Sequence, residues 1–150
     1  NYFTRKRISA APGPGPSLAE VPGPLPKTEM GWEIYPQGLY DFLRRTADEY
    51  TGALPLYVTE NGMAAPDQLS DGAIADDDRL AYLDAHLPEV RRALDAGVPV
   101  VGYFIWSLLD NYEWALGDDK RFGLIHVDFE TLQRTPKSSY RALQSWLTES

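Results

Sequence analysis

Two carboxylates stand out in the 150-residue sequence. Glu60 ends Pro55-Leu56-Tyr57-Val58-Thr59, an apolar, partly β-branched run long enough for one buried strand, and Asn61-Gly62 after it is a turn signal. A carboxylate ending such a strand is costly without a partner or a task. It is either a satisfied ion pair at the strand end or a working group. The second, Glu113, lies in a segment that also holds Trp106, Asp110 and Trp114. Flat indole faces beside short acceptors suit a sugar, whose rings carry apolar C–H faces and a rim of hydroxyls. The plain alternative is an aromatic core cluster with solvated acids. Taken together, Glu60 and Glu113 could be the two carboxylates of a glycosidase.

The elements that must position these groups can be read from the pattern. The opening Asn1-Tyr2-Phe3 reads as the end of a strand. Ala11 to Lys27 holds six prolines, and its Pro-Gly repeats admit neither a helix nor a central strand, so it is a linker or a long loop over a barrel mouth. Leu39, Phe42, Leu43 and Ala47 share one helical face over residues 38–50, which Gly52 ends. A long helix is predicted from about Asp76 to Ala96, with Leu80, Leu83, Leu87, Val90 and Leu94 as its stripe and Pro88 kinking or splitting it. Residues 98–106 form a second buried strand, 107–122 a polar and aromatic loop, 123–135 a hairpin, and 137–148 a closing helix with Tyr140, Leu143 and Leu147 inward. Strands alternating with amphipathic helices imply parallel pairing with helical crossovers. Three such apolar strands need neighbours to cover their edges, so the chain is expected to be a piece of a larger α/β body. In such bodies, catalytic groups collect past the C-terminal ends of strands, where Tyr2-Phe3-Thr4, Glu60 and residues 106–114 fall.

Composition narrows the chemistry. Lys and Arg number 14 against 22 Asp and Glu, a net charge of −8 that speaks against nucleic acid as partner. There is no cysteine, which removes thiol nucleophiles and thiolate zinc sites, and the two histidines, His86 and His126, lack metal-ligand spacing. Neither a metal nor a cofactor is expected. No apolar run approaches the ~20 residues of a membrane span, and no signal-peptide pattern opens the sequence, so no membrane partner and a cytoplasmic location are expected.

Several blocks resemble a known family. Thr59-Glu60-Asn61-Gly62 is similar to the nucleophile motif of glycoside hydrolase family 1, the β-glucosidase and β-galactosidase family. Residues 103–114, followed by Arg121-Phe122-Gly123-Leu124 and Val127-Asp128, resemble its last-strand signature. Met30-Gly31-Trp32-Glu33-Ile34-Tyr35-Pro36, Asn1-Tyr2-Phe3 and the helix at 79–87 fit in order and with plausible spacing.

The resemblance implies about the last three βα units of a (β/α)8 TIM barrel, one part of a single catalytic domain over residues 1–150. It implies a retaining β-glycosidase in which Glu60 is the nucleophile. It revises the pairing above: Glu113 would bind hydroxyls of the sugar at the cleavage site rather than donate a proton. Trp114 would bond another hydroxyl through its indole N–H, Trp106 would be the stacking platform, Phe122 would flank the exocyclic group, and Trp32 would line the leaving-group subsite. The family's acid/base is the Glu of an Asn-Glu-Pro block on an earlier strand, and no such block occurs here. The implied partners are a β-glycoside or oligosaccharide and the N-terminal part of the barrel; without that part the chain is expected to be inactive, at most a carbohydrate-binding remnant. One position departs from the family: Phe3 stands where a Tyr usually donates to the nucleophile, and strand alternation points Tyr2 to the other side.

Overall fold

The computed structural model describes residues 1–10 and 17–148. The Pro-Gly repeat at 11–16 lies outside the described residues; its flanks pair as an exposed antiparallel ribbon, β1 (Arg7–Ala10) with β2 (Leu18–Val21). Helix α1 (Gln37–Thr46) runs on into a π-helical turn, Ala47–Thr51, and Gly52 closes it at positive φ. Strand β3 (Leu56–Asn61) carries Glu60 near its end. A tight hairpin, β4 (Leu69–Ser70) and β5 (Ala73–Ile74), follows; its Asp71 and Gly72 both take positive φ, the backbone that two-residue hairpins favour. Helix α2 (Asp77–Asp95) returns the chain to β6 (Val100–Ile105), which pairs in parallel with β3. A long loop with one 3-10 turn (Trp114–Leu116) leads to the hairpin β7 (Ile125–Val127) and β8 (Arg134–Pro136), then to helix α3 (Ser138–Thr148).

The parallel sheet has two strands among the described residues, not the three expected. Residues 1–6 lie beside β3 without joining it as a strand. Among the described residues one backbone-to-backbone hydrogen bond joins them, from the Tyr2 N–H to the Glu60 carbonyl at 2.9 Å. The Tyr2 carbonyl is taken instead by the Asn61 side-chain amide at 2.6 Å, so a side chain supplies what a strand partner would.

Two apolar clusters hold the body together. Tyr2, Leu39, Leu43, Val58, Val90 and Val98 pack between α1, α2 and β3, and Met63, Tyr82, Leu83 and Leu124 pack under α3. Helix α2 does not break at Pro88. The carbonyl that loses its donor belongs to Asp84, four residues back; both residues are exposed, so water can satisfy it. Nor is its inward face the leucine stripe. Arg79, Tyr82, Leu83, His86, Val90 and Ala93 are buried, whereas Leu80 and Leu87 are only partly covered and Leu94 is 44 % exposed. Phe42 and Leu147, expected inward, are 56 % and 73 % exposed. On the parallel strands Tyr57, Val101 and Phe104 are likewise exposed. These side chains form apolar faces that nothing in the described residues covers, as expected of an α/β body with neighbours missing. Among the described residues no helix is long and apolar enough to cross a membrane.

Candidate active site

Glu60 sits where β3 meets β6. The backbone N–H of Trp106 donates to the Asn61 carbonyl at 2.9 Å, carrying the pairing past the end of β6. Gly62 faces the Trp106 carbonyl so closely that a β-carbon would come within 1.9 Å of its oxygen. Only glycine lets the two strand ends approach in this way. The Trp106–Ser107 peptide is cis. Asn61, fully buried, gathers the surroundings: its amide donates to the Tyr82 hydroxyl at 2.9 Å as well as to Tyr2, and its oxygen accepts from the Tyr103 hydroxyl at 2.5 Å.

The Glu60 carboxylate is held by a neutral donor. Asn1 Nδ2 donates to Oε2 at 2.7 Å, and the Asn1 oxygen accepts from the Thr59 hydroxyl, which fixes the amide's orientation. No cation pairs with Glu60 among the described residues, so the ion-pair reading finds no support. Tyr2 turns away as alternation requires, donating its hydroxyl to the Tyr35 carbonyl at 2.5 Å; burial pushes that phenol well above its ordinary range.

Phe3 has a place of its own. Its ring packs on Trp32 at 5.6 Å and on Phe122 at 6.2 Å, and those two lie 6.3 Å apart, closing an aromatic triangle. Trp32 is carried by a turn in which Thr28 N–H donates to its carbonyl at 2.8 Å. Buried Glu33, next along the chain, anchors that turn through Arg5 at 2.7 Å and the Leu25 N–H at 3.0 Å; the Arg5 hydrogen bond holds the Glu33 carboxyl below the usual range. Asn1, Phe3, Trp32 and Phe42 are among the residues that line one open cleft.

The loop after β6 carries the remaining residues singled out by sequence. Trp106 is half-buried at the strand end, Phe122 is buried, and Trp114 is 82 % exposed. Glu113 is half-buried; Asn111 Nδ2 donates to its Oε2 at 2.9 Å, and no hydrogen bond joins it to Glu60.

Asp110 is not a sugar acceptor in waiting. It is buried and fully engaged, accepting from Gly123 N–H at 2.9 Å, Val127 N–H at 3.3 Å, Arg121 at 2.7 Å and Lys137 at 2.8 Å. Burial alone would raise its pKa, but the bond from Lys137, with that residue's charge and Arg121, outweighs this and holds it below the carboxylate range. Lys137 also contacts Asp67, which Arg79 grips with both guanidinium nitrogens at 2.9 and 3.1 Å while reaching Asp76 at 2.5 Å. Three carboxylates and three cations thus balance in a network that ties the loops after β3 and β6 to α2 and α3. Sequence reading missed it, and the available signal was thin: a lone Lys before the last helix and an Asp in a mixed apolar and polar loop. Among the described residues no cluster of three or more His, Asp or Glu is placed to hold a metal.

A carboxylate and a group of aromatic rings past the C-terminal ends of parallel βα strands is the arrangement in which barrel-type α/β enzymes build their sites. The chain belongs to glycosyl hydrolase family 1, whose family model matches residues 8–150. It is 44 % identical to beta-glucosidase A of Thermotoga maritima over 93 % of this chain and 31 % of that enzyme. It is 49 % identical to a 6-phospho-beta-galactosidase of Streptococcus equi subsp. zooepidemicus over 77 % of this chain and 24 % of that one. Among solved structures, the family 1 beta-glucosidase of Exiguobacterium antarcticum superposes with a TM-score of 0.94 at 41 % identity, over 99 % of this chain and 33 % of that one. The chain therefore spans about a third of the length of the relatives it matches, as part of a TIM barrel.

Proposed function

We propose that this chain supplies about the last three βα units of a retaining β-glycosidase acting on terminal, neutral β-D-glycosides. Glu60 is its nucleophile. The observation that carries the reading is the state of that carboxylate: it stands at the end of β3, oriented by the Asn1 amide and unencumbered by any cation among the described residues. Such a group can attack an anomeric carbon.

The reaction needs two carboxyl groups about 5–5.5 Å apart. The acid/base comes from the N-terminal part of the barrel, because no Asn-Glu-Pro block occurs in residues 1–150. That acid protonates the leaving oxygen as Glu60 forms the glycosyl ester. The aglycone departs past Trp32. The same acid, now a base, takes a proton from water as it displaces Glu60 and releases the sugar. Trp106 stacks beneath the ring, Glu113 and Trp114 bind its hydroxyls, and Phe122 closes the exocyclic side. No cofactor enters, and nucleic acid and membrane are not partners.

The test is covalent trapping in the polypeptide that contains both parts of the barrel. A 2-deoxy-2-fluoro-β-glucoside with a good leaving group forms the ester but hydrolyses slowly. Peptide mapping should place one added glycosyl mass on the peptide holding Glu60. A label on another residue would overturn the assignment.

A further inference from the structure

We propose that Asn111 is a positioning residue that fixes the Glu113 carboxylate and thereby sets the hydroxyl selectivity of the sugar site. The inference rests on the reading of Glu113 as a sugar ligand and adds the group that aims it.

The geometry forms a chain of three side chains. The Ser107 backbone is pinned on both sides, its N–H to the Phe122 carbonyl at 3.2 Å and its carbonyl to the Leu124 N–H at 2.9 Å. Its hydroxyl donates to the Leu109 carbonyl at 2.6 Å, with Asn111 Oδ1 3.2 Å away as a second acceptor competing for the same single proton. Asn111 Nδ2 donates to Glu113 Oε2 at 2.9 Å. A carboxylate can only accept, so the amide must present nitrogen to Glu113 and oxygen to Ser107. The backbone of Glu113 is fixed independently, its N–H donating to the Gly117 carbonyl at 2.8 Å. One carboxylate oxygen is therefore committed to Asn111, and Oε1 has no protein partner among the described residues.

This arrangement leaves one oxygen in a set plane for hydroxyls to meet. A freely turning carboxylate accepts from hydroxyls in many directions and discriminates poorly between sugars that differ in one hydroxyl's orientation. A fixed one rewards the correct orientation and leaves the wrong one unpaired. Asn111 is half-buried and is needed for none of the ring contacts above.

The experiment uses the polypeptide with both parts of the barrel, carrying Asn111→Ala, Asn111→Asp, Glu113→Ala, and Asn111→Ala combined with Glu113→Ala. Each is assayed on 4-nitrophenyl β-D-glucoside and its galactoside, which differ at one hydroxyl, and each is checked for its melting temperature. Loss of a hydrogen bond to a charged group should lower kcat/KM for the preferred epimer about tenfold, mostly through KM, and narrow the ratio between epimers. In the Glu113→Ala background the same Asn111→Ala change should do almost nothing. The near-isosteric Asn111→Asp places a second carboxyl beside Glu113. It should be impaired at neutral pH and recover relative to the parent as the pH falls and the pair shares a proton. Equal losses from Asn111→Ala with and without Glu113, or an unchanged epimer ratio, would overturn the proposal. An inert Glu113→Ala would overturn it too, and would identify the sugar-ligand reading itself as the error.

Discussion

Lys137 Nζ lies 2.8 Å from Asp110 Oδ1 with both side chains sealed from solvent, across 27 residues of sequence. Its other partner, Asp67, is 70 residues away. Removing the ammonium leaves two buried carboxylates short of a cation. Lys137→Met should therefore cost about 3–5 kcal/mol, far more than loss of a surface pair. Because Asp110 is held below its unfolded pKa, its contribution is full above about pH 4 and disappears as pH falls through the folded value. Urea melts between pH 7 and 3 should show that acid-side loss in the parent and a shallower one in the variant.

His86 gives a second pH dependence of the same sign. It is buried against Tyr82, ring centroids 3.7 Å apart, with Nδ1 2.7 Å from the Tyr82 carbonyl, so Nδ1 carries the proton. Nε2 has no hydrogen-bond partner among the described residues. Burial drags the pKa from 6.5 to about 4. The unfolded chain takes up the proton first, so stability is full above about pH 6.5 and falls toward pH 4, by up to about 1.4 kcal/mol per pH unit. His86→Phe keeps a ring at the site and removes the proton. Its stability curve should be flatter over that window; parallel curves would refute the assignment.

If Glu113 binds the sugar as proposed, it also sets the choice of glycone. The relatives include enzymes named for neutral and for 6-phosphorylated sugars. A phosphate ~4 Å from a carboxylate at an effective dielectric of ~20 is repelled by about 4 kcal/mol per pair of unit charges. We expect kcat/KM for 4-nitrophenyl β-glucoside to exceed that of its 6-phosphate by a hundredfold or more. A preference for the phosphate would reverse the reading of Glu113.

Residues 1–150 expressed alone should show no glycosidase turnover and should self-associate. Tyr57, Val101, Phe104, Leu94 and Leu147 present apolar faces that the described residues leave bare, and β3 and β6 each keep an unpaired edge. Positioned acid catalysis contributes ~10²–10⁴-fold and has no candidate here. Mass in solution and an aryl-glucoside assay decide it; a monomer with ordinary enzyme rates would contradict both arguments.

The parts of the site that the sequence made legible are contiguous. Thr59-Glu60-Asn61-Gly62 is the end of β3 and the first residue after it, and residues 106–114 group rings with carboxylates in nine positions, so short-range pattern suffices. Asp110 was misread for the same reason: Trp106, Tyr112 and Trp114 stand near it in sequence, while its partners Lys137 and Arg121 come from elsewhere in the chain. The stripe of α2 was read in part: Leu83 and Val90 are buried and Leu87 packs on the core, while Leu94 is exposed, because periodicity identifies an apolar face without saying what covers it. Buried Arg79 and His86 would have been placed outside by hydropathy alone, yet Arg79 is inside because Asp67 and Asp76 neutralise it. Pro88 was expected to break a helix whose exposed face tolerates the lost donor.

The most direct test is chemical replacement of the nucleophile. In the polypeptide with both parts of the barrel, Glu60→Gly should abolish hydrolysis of an aryl β-glucoside while the fold persists. Added azide should then restore turnover and yield the α-glycosyl azide, because a small anion in the vacated space attacks the anomeric carbon from the face Glu60 used. Undiminished hydrolysis by the variant, or rescue that yields the β-azide, would contradict the account.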